Sequence, residues 1–265
     1  FISSVHKVAK LKDRTIFTGH AQNDLTEFLN FMIDCFHIAI SREVDMEITG
    51  KVCNDTDKIA QSCYNMLKNM YTKEYSEILK CFYGTHVSTI CDVDDNVLTI
   101  TPEPFLMLDL ALPEKTDKII SLMDCIDEYT KCEMLTGDNA YEVVNGSEKI
   151  TAKKQITFWK FPETLIITLK RFSNGIEKDN TLVTFPLDIL DLTPYTIGYN
   201  NVDYKYELFG ICNHFGGILG GHYTSYVKNS DDHWYEFNDE SINKINDEEG
   251  LISPSAYCFF YRKKI

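Results

Sequence analysis

Gly220-Gly221-His222-Tyr223-Thr224-Ser225-Tyr226-Val227, followed after a polar turn by His233-Trp234-Tyr235-Glu236-Phe237-Asn238-Asp239, is the stretch that decides the reading of this chain. Aromatic and β-branched residues mark two strands, and Ser230-Asp231-Asp232 marks the turn between them. A histidine opens the first strand directly after a glycine pair, and an Asn-Asp pair closes the second. In an antiparallel hairpin that layout brings His222 and Asn238 side by side at one end of the sheet, with Asp239 next to them. A cysteine protease needs an imidazole to take the thiol proton and a side-chain acceptor to fix the ring tautomer. Spacing alone also suits an ordinary polar cluster at a hairpin end.

Working outward, Thr164–Phe172, Tyr204–Phe215, Ala256–Arg262 and Phe105–Leu112 also read as strands. Phe215 to Gly221, through Ile218 and Leu219, is a glycine-rich connection. Residues 22–40 read as an amphipathic helix on Leu25, Phe28, Leu29, Met32, Phe36 and Ile40. A second helix is expected over about 57–70, and Ser121-Leu122-Met123-Asp124 has the capping pattern that starts a third. Helices early and sheet late predict an α+β layout rather than alternating βαβ units. Residues 134–155 are polar and glycine-containing, the composition of a hairpin tip.

The composition, 44% apolar and 25% charged, is that of a folded domain. No apolar run approaches the roughly 20 residues of a membrane helix, so membrane insertion is not expected. A net charge of −14 argues against nucleic acid as partner and favours a basic one. The nine cysteines form no CxxC and sit mostly in apolar contexts, which predicts reduced thiols in an intracellular setting, cytoplasmic or nuclear. The chain opens Phe1-Ile2-Ser3-Ser4, so a processed or partly represented polypeptide is expected. Abundant Asn, Ile, Lys and Tyr hint at an AT-rich genome such as a parasite's or a large virus's.

Several segments resemble one family in the right order. Gln22-Asn23-Asp24-Leu25-Thr26-Glu27-Phe28-Leu29, Ser121–Asp127, Leu169-Lys170-Arg171-Phe172, Gly220–Val227 and Trp234–Asp239 are similar to conserved boxes of the ubiquitin-specific proteases. The resemblance implies a papain-like α+β fold with thumb, fingers and palm. Residues 1–80 would be the remainder of the thumb, 81–160 the fingers and a connecting helix, and 161–265 the palm. It implies a thiol-dependent deubiquitinase whose partner is ubiquitin or a ubiquitinated protein. His222 would be the general base and acid, Asn238 its orienting residue and Asp239 a neighbouring acid. Gln22, Asp24 and Glu27 would meet the arginine-bearing ubiquitin tail, where carboxylates give charge-assisted pairing. Asp24 and Glu27 also suit the positive end of their own helix. Phe172 and Tyr223 would wall the channel for the terminal glycines.

Two departures from the family pattern stand out. The family's nucleophile lies in a cysteine box well upstream of the helix matching 22–29, and none of the nine cysteines has that context. The nucleophile is therefore expected upstream of Phe1, and this chain alone is expected to be inactive. A catalytically silent ubiquitin-binding scaffold is the alternative. Many members also hold zinc with two CxxC pairs. The first would fall at Cys91-Asp92-Val93-Asp94 and the second near Tyr141–Gly146, where at most one cysteine remains. No metal and no cofactor are expected.

Overall fold

The structure is a computed structural model that describes residues 1–19, 22–114, 118–143, 149–172, 177–199, 202–217 and 220–264. Among the described residues there are five α-helices: α1 Ile2–Leu11, α2 Leu25–Ile40, α3 Asp55–Glu74, α4 Glu77–Phe82 and α5 Leu122–Thr130. Three have side-chain caps. Asp24 accepts from Glu27 N–H at 3.0 Å at the start of α2. Asn54 accepts from Asp57 N–H at 2.8 Å at the start of α3. Ser121 and Asp124 form a reciprocal capping box at α5, as the sequence predicts.

The larger sheet is built from β3 Met107–Leu110, β6 Thr164–Leu169, β7 Lys205–Gly217, β8 Gly220–Lys228, β9 Trp234–Asn238, β10 Ser241–Ile245 and β11 Ala256–Lys263. Its order is β10-β9-β8-β7-β11-β6-β3, with the two-residue strand Leu190–Asp191 added on β7. All these pairs are antiparallel except β3 with β6. A second sheet has the order β2-β1-β5-β4, from β1 Gly84–Cys91, β2 Val97–Phe105, β4 Glu133–Leu135 and β5 Ala152–Lys160.

Strand β6, Thr-Leu-Ile-Ile-Thr-Leu, is apolar on both faces because both are covered. Leu165, Ile167 and Leu169 enter the main core with Phe259, Tyr261 and Leu110. Ile166 turns to the other face and packs with Ile33 of α2 and with Tyr257. Helix α2 is thereby held against the sheet, which sets the position of its N-terminus. Just after β6, the buried Arg171 donates from Nε to Ala256 O at 2.9 Å and from Nη1 to the carbonyls of Asp179 and Thr181 at 2.8 Å each. These bonds tie Asp179, Thr181 and the start of β11 to the segment just after β6.

The structure corrects several expected boundaries. Helix α2 begins at Leu25 rather than residue 22, because Asp24 is extended at φ −76° and ψ 135° and caps from outside. The expected strand Phe105–Leu112 is split: Phe105 ends β2, and β3 spans Met107–Leu110. The order is less segregated than expected, since β1, β2 and β3 precede α5. Helix α1, which the sequence reading missed, has no capping side chain. Residues 141–142 pair with 149–150 as a hairpin, while Val144, Asn145 and Gly146 lie outside the described residues, as do Ile218 and Leu219.

Candidate active site

The histidine strand β8 pairs with β7 along its whole length, from Gly217↔Gly220 to Gly210↔Val227. It pairs with β9 only from Ser225↔Phe237 onward. The first residues of β8 are thus held by a neighbouring strand on one side only. His222 occupies this half-free end. Its Nε2 lies 2.7 Å from Asn238 Oδ1, and Asp239 Oδ2 is 4.0 Å from the same nitrogen.

Asn238 is the last residue of β9 and pairs with Ser241 across a tight turn through Asp239 and Glu240. Asp239 has φ 50°, a left-handed conformation that aspartate tolerates better than most residues. That turn ends the strand where Asn238 meets the ring. With the amide oxygen facing Nε2, the ring must donate there, so in the neutral tautomer Nδ1 carries the lone pair. The His222 side chain is 47% exposed, which leaves Nδ1 available for proton transfer.

Side chains alternate along a strand, so the residues flanking His222 face the other way. There Tyr223, Phe172, His214 and Tyr257 form a ring cluster, with His214 and Tyr223 centroids 4.7 Å apart and His214 and Phe172 5.6 Å apart. Gln22, Asp24, Phe172, His214 and Tyr223, with glycines 217, 220 and 221, line a cleft of about 520 Å³. Gly220 and Gly221 are required by close approach. A Cβ on Gly220 would lie 2.6 Å from Gln22 Oε1, and one on Gly221 would lie 2.2 Å from His214 Nε2.

The cleft's electrostatics follow from burial. His214, only 4% exposed, is held below the usual histidine range by desolvation and by Lys178, against an opposing pull from Asp24. The Lys178 ammonium donates to the His214 carbonyl, and its pKa falls to about 8 through desolvation and the nearby Arg171. The hydroxyls of Tyr223 and Tyr257 are pushed up by burial.

Of the residues singled out from sequence, His222, Asn238 and Asp239 converge at one end of the sheet. Gln22, Asp24, Phe172 and Tyr223 share the adjoining cleft. Glu27 stands apart, in a neighbouring cavity with Lys12, Arg14 and Asp34. The sequence reading passed over His214 and Lys178. A hairpin centred on Gly217–Gly220 places residue 214 opposite 223, so His214 could have been found from the register. Lys178 follows residues 173–176, which lie outside the described residues, and carries no local pattern.

All nine cysteines are free thiols, and among the described residues none is hydrogen-bonded to His222. Cys212 and Cys258 oppose each other across β7 and β11, and burial pushes the Cys212 thiol up to about 11. In the second sheet Cys91 pairs with Val97 and Lys153. Among the described residues no group of three or more His, Cys, Asp or Glu side chains is placed to hold a metal ion. None of the described helices is long and apolar enough to cross a membrane.

Comparison with known proteins agrees with this fold. The family model described as ubiquitin carboxyl-terminal hydrolase matches residues 1–261. Ubiquitin carboxyl-terminal hydrolase 4 of Saccharomyces cerevisiae is 30% identical over 278 residues, covering 94% of this chain and 30% of its own length. Ubiquitin carboxyl-terminal hydrolase 2 of Gallus gallus is 30% identical over 249 residues, covering 92% of this chain and 69% of its own. Among solved structures, the SAGA DUB module Ubp8/Sgf11/Sus1/Sgf73 bound to ubiquitin aldehyde matches with a TM-score of 0.70 at 27% identity, covering 97% of this chain and 52% of that one. The chain spans about a third of the length of the yeast relatives it matches.

Proposed function

Because this chain belongs to the ubiquitin carboxyl-terminal hydrolase family and has the α+β fold of its ubiquitin-specific members, we propose that it supplies the histidine half of a thiol-dependent deubiquitinase. The observation that carries this reading is the 2.7 Å contact between His222 Nε2 and Asn238 Oδ1, which leaves Nδ1 as the base. In this reading the thiol partner is a cysteine other than the nine present, since none of them has the sequence context of the family's cysteine box and, among the described residues, none is hydrogen-bonded to His222.

In this reading Nδ1 takes the thiol proton, and the thiolate attacks the carbonyl carbon of ubiquitin's terminal glycine. The imidazolium then gives its proton to the leaving lysine amine as the C–N bond breaks. Water attacks the thioester, passing a proton to Nδ1, and the thiol is restored as the carboxylate leaves. Asn238 holds the ring throughout, and Asp239 adds negative charge beside the imidazolium.

The cleft between Asp24 and the ring cluster takes the extended tail. Phe172 and Tyr223 wall it, while Gly217, Gly220 and Gly221 keep it shallow on the strand side. Asp24 supplies charge for the tail's arginines, and Glu27 lies one helical turn further on. Residues 1–80 serve as thumb, 81–160 as fingers and 161–265 as palm. The nine free thiols suit an intracellular setting, and the net charge of −14 suits a protein partner over nucleic acid.

The test is a ubiquitin probe bearing a C-terminal electrophile. The full-length protein should form one covalent adduct that His222→Ala suppresses, and residues 1–265 alone should form none. An adduct on any of the nine cysteines would overturn the placement of the nucleophile. Ubiquitin binding by the full-length protein without adduct or turnover would establish the scaffold alternative.

A further inference from the structure

Gln22 meets the histidine strand in a way that its place at the mouth of the cleft does not require. Its Oε1 accepts the backbone N–H of Gly221 at 3.2 Å, a bond between residues 199 apart in sequence. Its carboxamide also rests on Gly220, where any Cβ would come within 2.6 Å of Oε1 and 3.0 Å of Nε2. Gly220 is therefore a seat for the Gln22 carboxamide, and Gly221 supplies the N–H that its oxygen accepts.

The location of this bond gives it leverage. Beyond Ser225↔Phe237, β9 no longer runs beside β8, so His222 stands on a strand end supported by β7 alone. Gln22 adds a hydrogen bond one residue before the ring. One residue after it, Tyr223 packs on His214 at a ring-centroid distance of 4.7 Å and shares an apolar cluster with Leu25 at the start of α2. Gln22 stands three residues before α2, and the sheet holds that helix through Ile33 and Ile166. The strand on either side of His222 is thus supported from the chain around the start of α2, at the 220–221 peptide and through the Tyr223 side chain, and the ring is left to project from the other face.

We infer that Gln22 is a positioning residue for His222, acting through its acceptor oxygen on Gly221. The inference rests on the assignment of His222 as the base. It differs from the role of a tail-binding side chain in the atom it uses: positioning needs Oε1 as acceptor, whereas holding a substrate carbonyl would need Nε2 as donor. Gln22→Glu keeps an acceptor and loses the donor. Gln22→Ala loses both.

The experiment has two arms. In residues 1–265 labelled with ¹⁵N-histidine, the wild-type His222 ring should show the Nε2–H tautomer. Gln22→Ala should shift it towards a tautomer mixture, and Gln22→Glu should restore it. The signal of His37, which bonds Ser76 at 2.7 Å far from the cleft, should stay constant and report that the fold is intact. In the full-length enzyme Gln22→Ala should lower kcat by on the order of 10²-fold, the cost of misplacing a catalytic group by about 1 Å, with KM little changed. Gln22→Glu should recover most of that loss. An unchanged His222 tautomer in Gln22→Ala would overturn the inference, and so would a raised KM with unaltered kcat in both variants. If the full-length protein hydrolyses nothing, the proposed function fails while the tautomer arm still decides the role of Gln22.

Discussion

The ring of His222 donates through Nε2 to the amide oxygen of Asn238 at 2.7 Å, while Asp239 Oδ2 stands 4.0 Å from the same nitrogen. The hydrogen bond selects the tautomer, and the carboxylate can stabilise the charged ring without replacing that bond. In the full-length protein His222→Ala should therefore reduce turnover by roughly 10²- to 10⁴-fold, the usual worth of a general acid–base group. Ubiquitin affinity should be nearly unchanged. Asn238→Ala should cost less, about tenfold or ~1.4 kcal/mol of barrier, because Asp239 can partly orient the ring. Steady-state kinetics with a fluorogenic ubiquitin amide, beside equilibrium binding, separates the two variants.

Asp24 has two separable duties. Its Oδ1 caps α2 by accepting from Glu27 N–H at 3.0 Å and from the Thr26 hydroxyl, and its carboxylate charges the wall of the cleft. Asp24→Asn keeps a good cap and removes the charge, so stability should hold while ubiquitin binding weakens. Asp24→Ala should lose about 1 kcal/mol of stability as well. Asp24→Arg sets like charge against the arginine-bearing tail and should cost ~2–5 kcal/mol of binding. Thermal melts and titration calorimetry on the same variants would show whether the two duties come apart.

The hairpin bearing His222 and Asn238 was legible because its pattern is local: alternation, a glycine pair and a polar turn lie within 20 residues. The caps Ser121 and Asp124 were legible for the same reason. The cleft was legible only in part, since its walls come from places that local pattern does not connect. His214 reaches it through strand register, Lys178 through a loop held by Arg171, and Tyr257 through a strand near the C-terminus. Glu27 fits the sequence motif as well as Asp24 does, yet the helix turns it into a different cavity. Periodicity predicted the helix but not which side of its first turn would meet the sheet. Helix α1 was missed because its start has no capping side chain, and packing of Val5 and Ala9 against Phe17 and Phe31 makes up for that.

The turn between β1 and β2 should be stable without metal. At Cys91-Asp92-Val93-Asp94, Asp92 Oδ1 accepts the N–H groups of Asp94 and Asn96 at 2.9 Å each, and Oδ2 accepts Asn96 Nδ2 at 2.8 Å. Asp95, in the left-handed region at φ 66°, reaches Lys153 at 2.7 Å. The carboxylate thus organises the loop from within. Elemental analysis of purified protein should find no stoichiometric zinc, and a chelator should leave Tm unchanged. Asp92→Ala should lower Tm and increase amide exchange in β1 and β2. One tightly held zinc per chain would show that other residues build a site at this end of the sheet.

Acid should weaken the cleft before it unfolds the rest of the molecule, and His214 gives the direction. Its ring is buried beside Phe172, Tyr223 and Tyr257 and lies near the Lys178 ammonium, so desolvation first and Lys178 second hold its pKa below the ordinary value of 6.5. Asp24 opposes this from the other side without reversing it. Above pH 6.5 both the folded and the unfolded chain carry this histidine neutral, and its contribution to stability is fully present. As pH falls through 6.5 the unfolded chain takes up a proton while the folded ring resists, so stability is lost down to the depressed folded value. An NMR titration should therefore show His214 protonating at lower pH than a free histidine, and unfolding by urea should become easier over that interval. His214→Phe keeps an aromatic ring against Tyr223 and has no proton to bind, so this part of the slope should vanish in the variant. An unaltered slope would mean that another group governs acid stability here. A His214 titrating above 6.5 would mean that Asp24 outweighs burial and that the cleft prefers a charged imidazole.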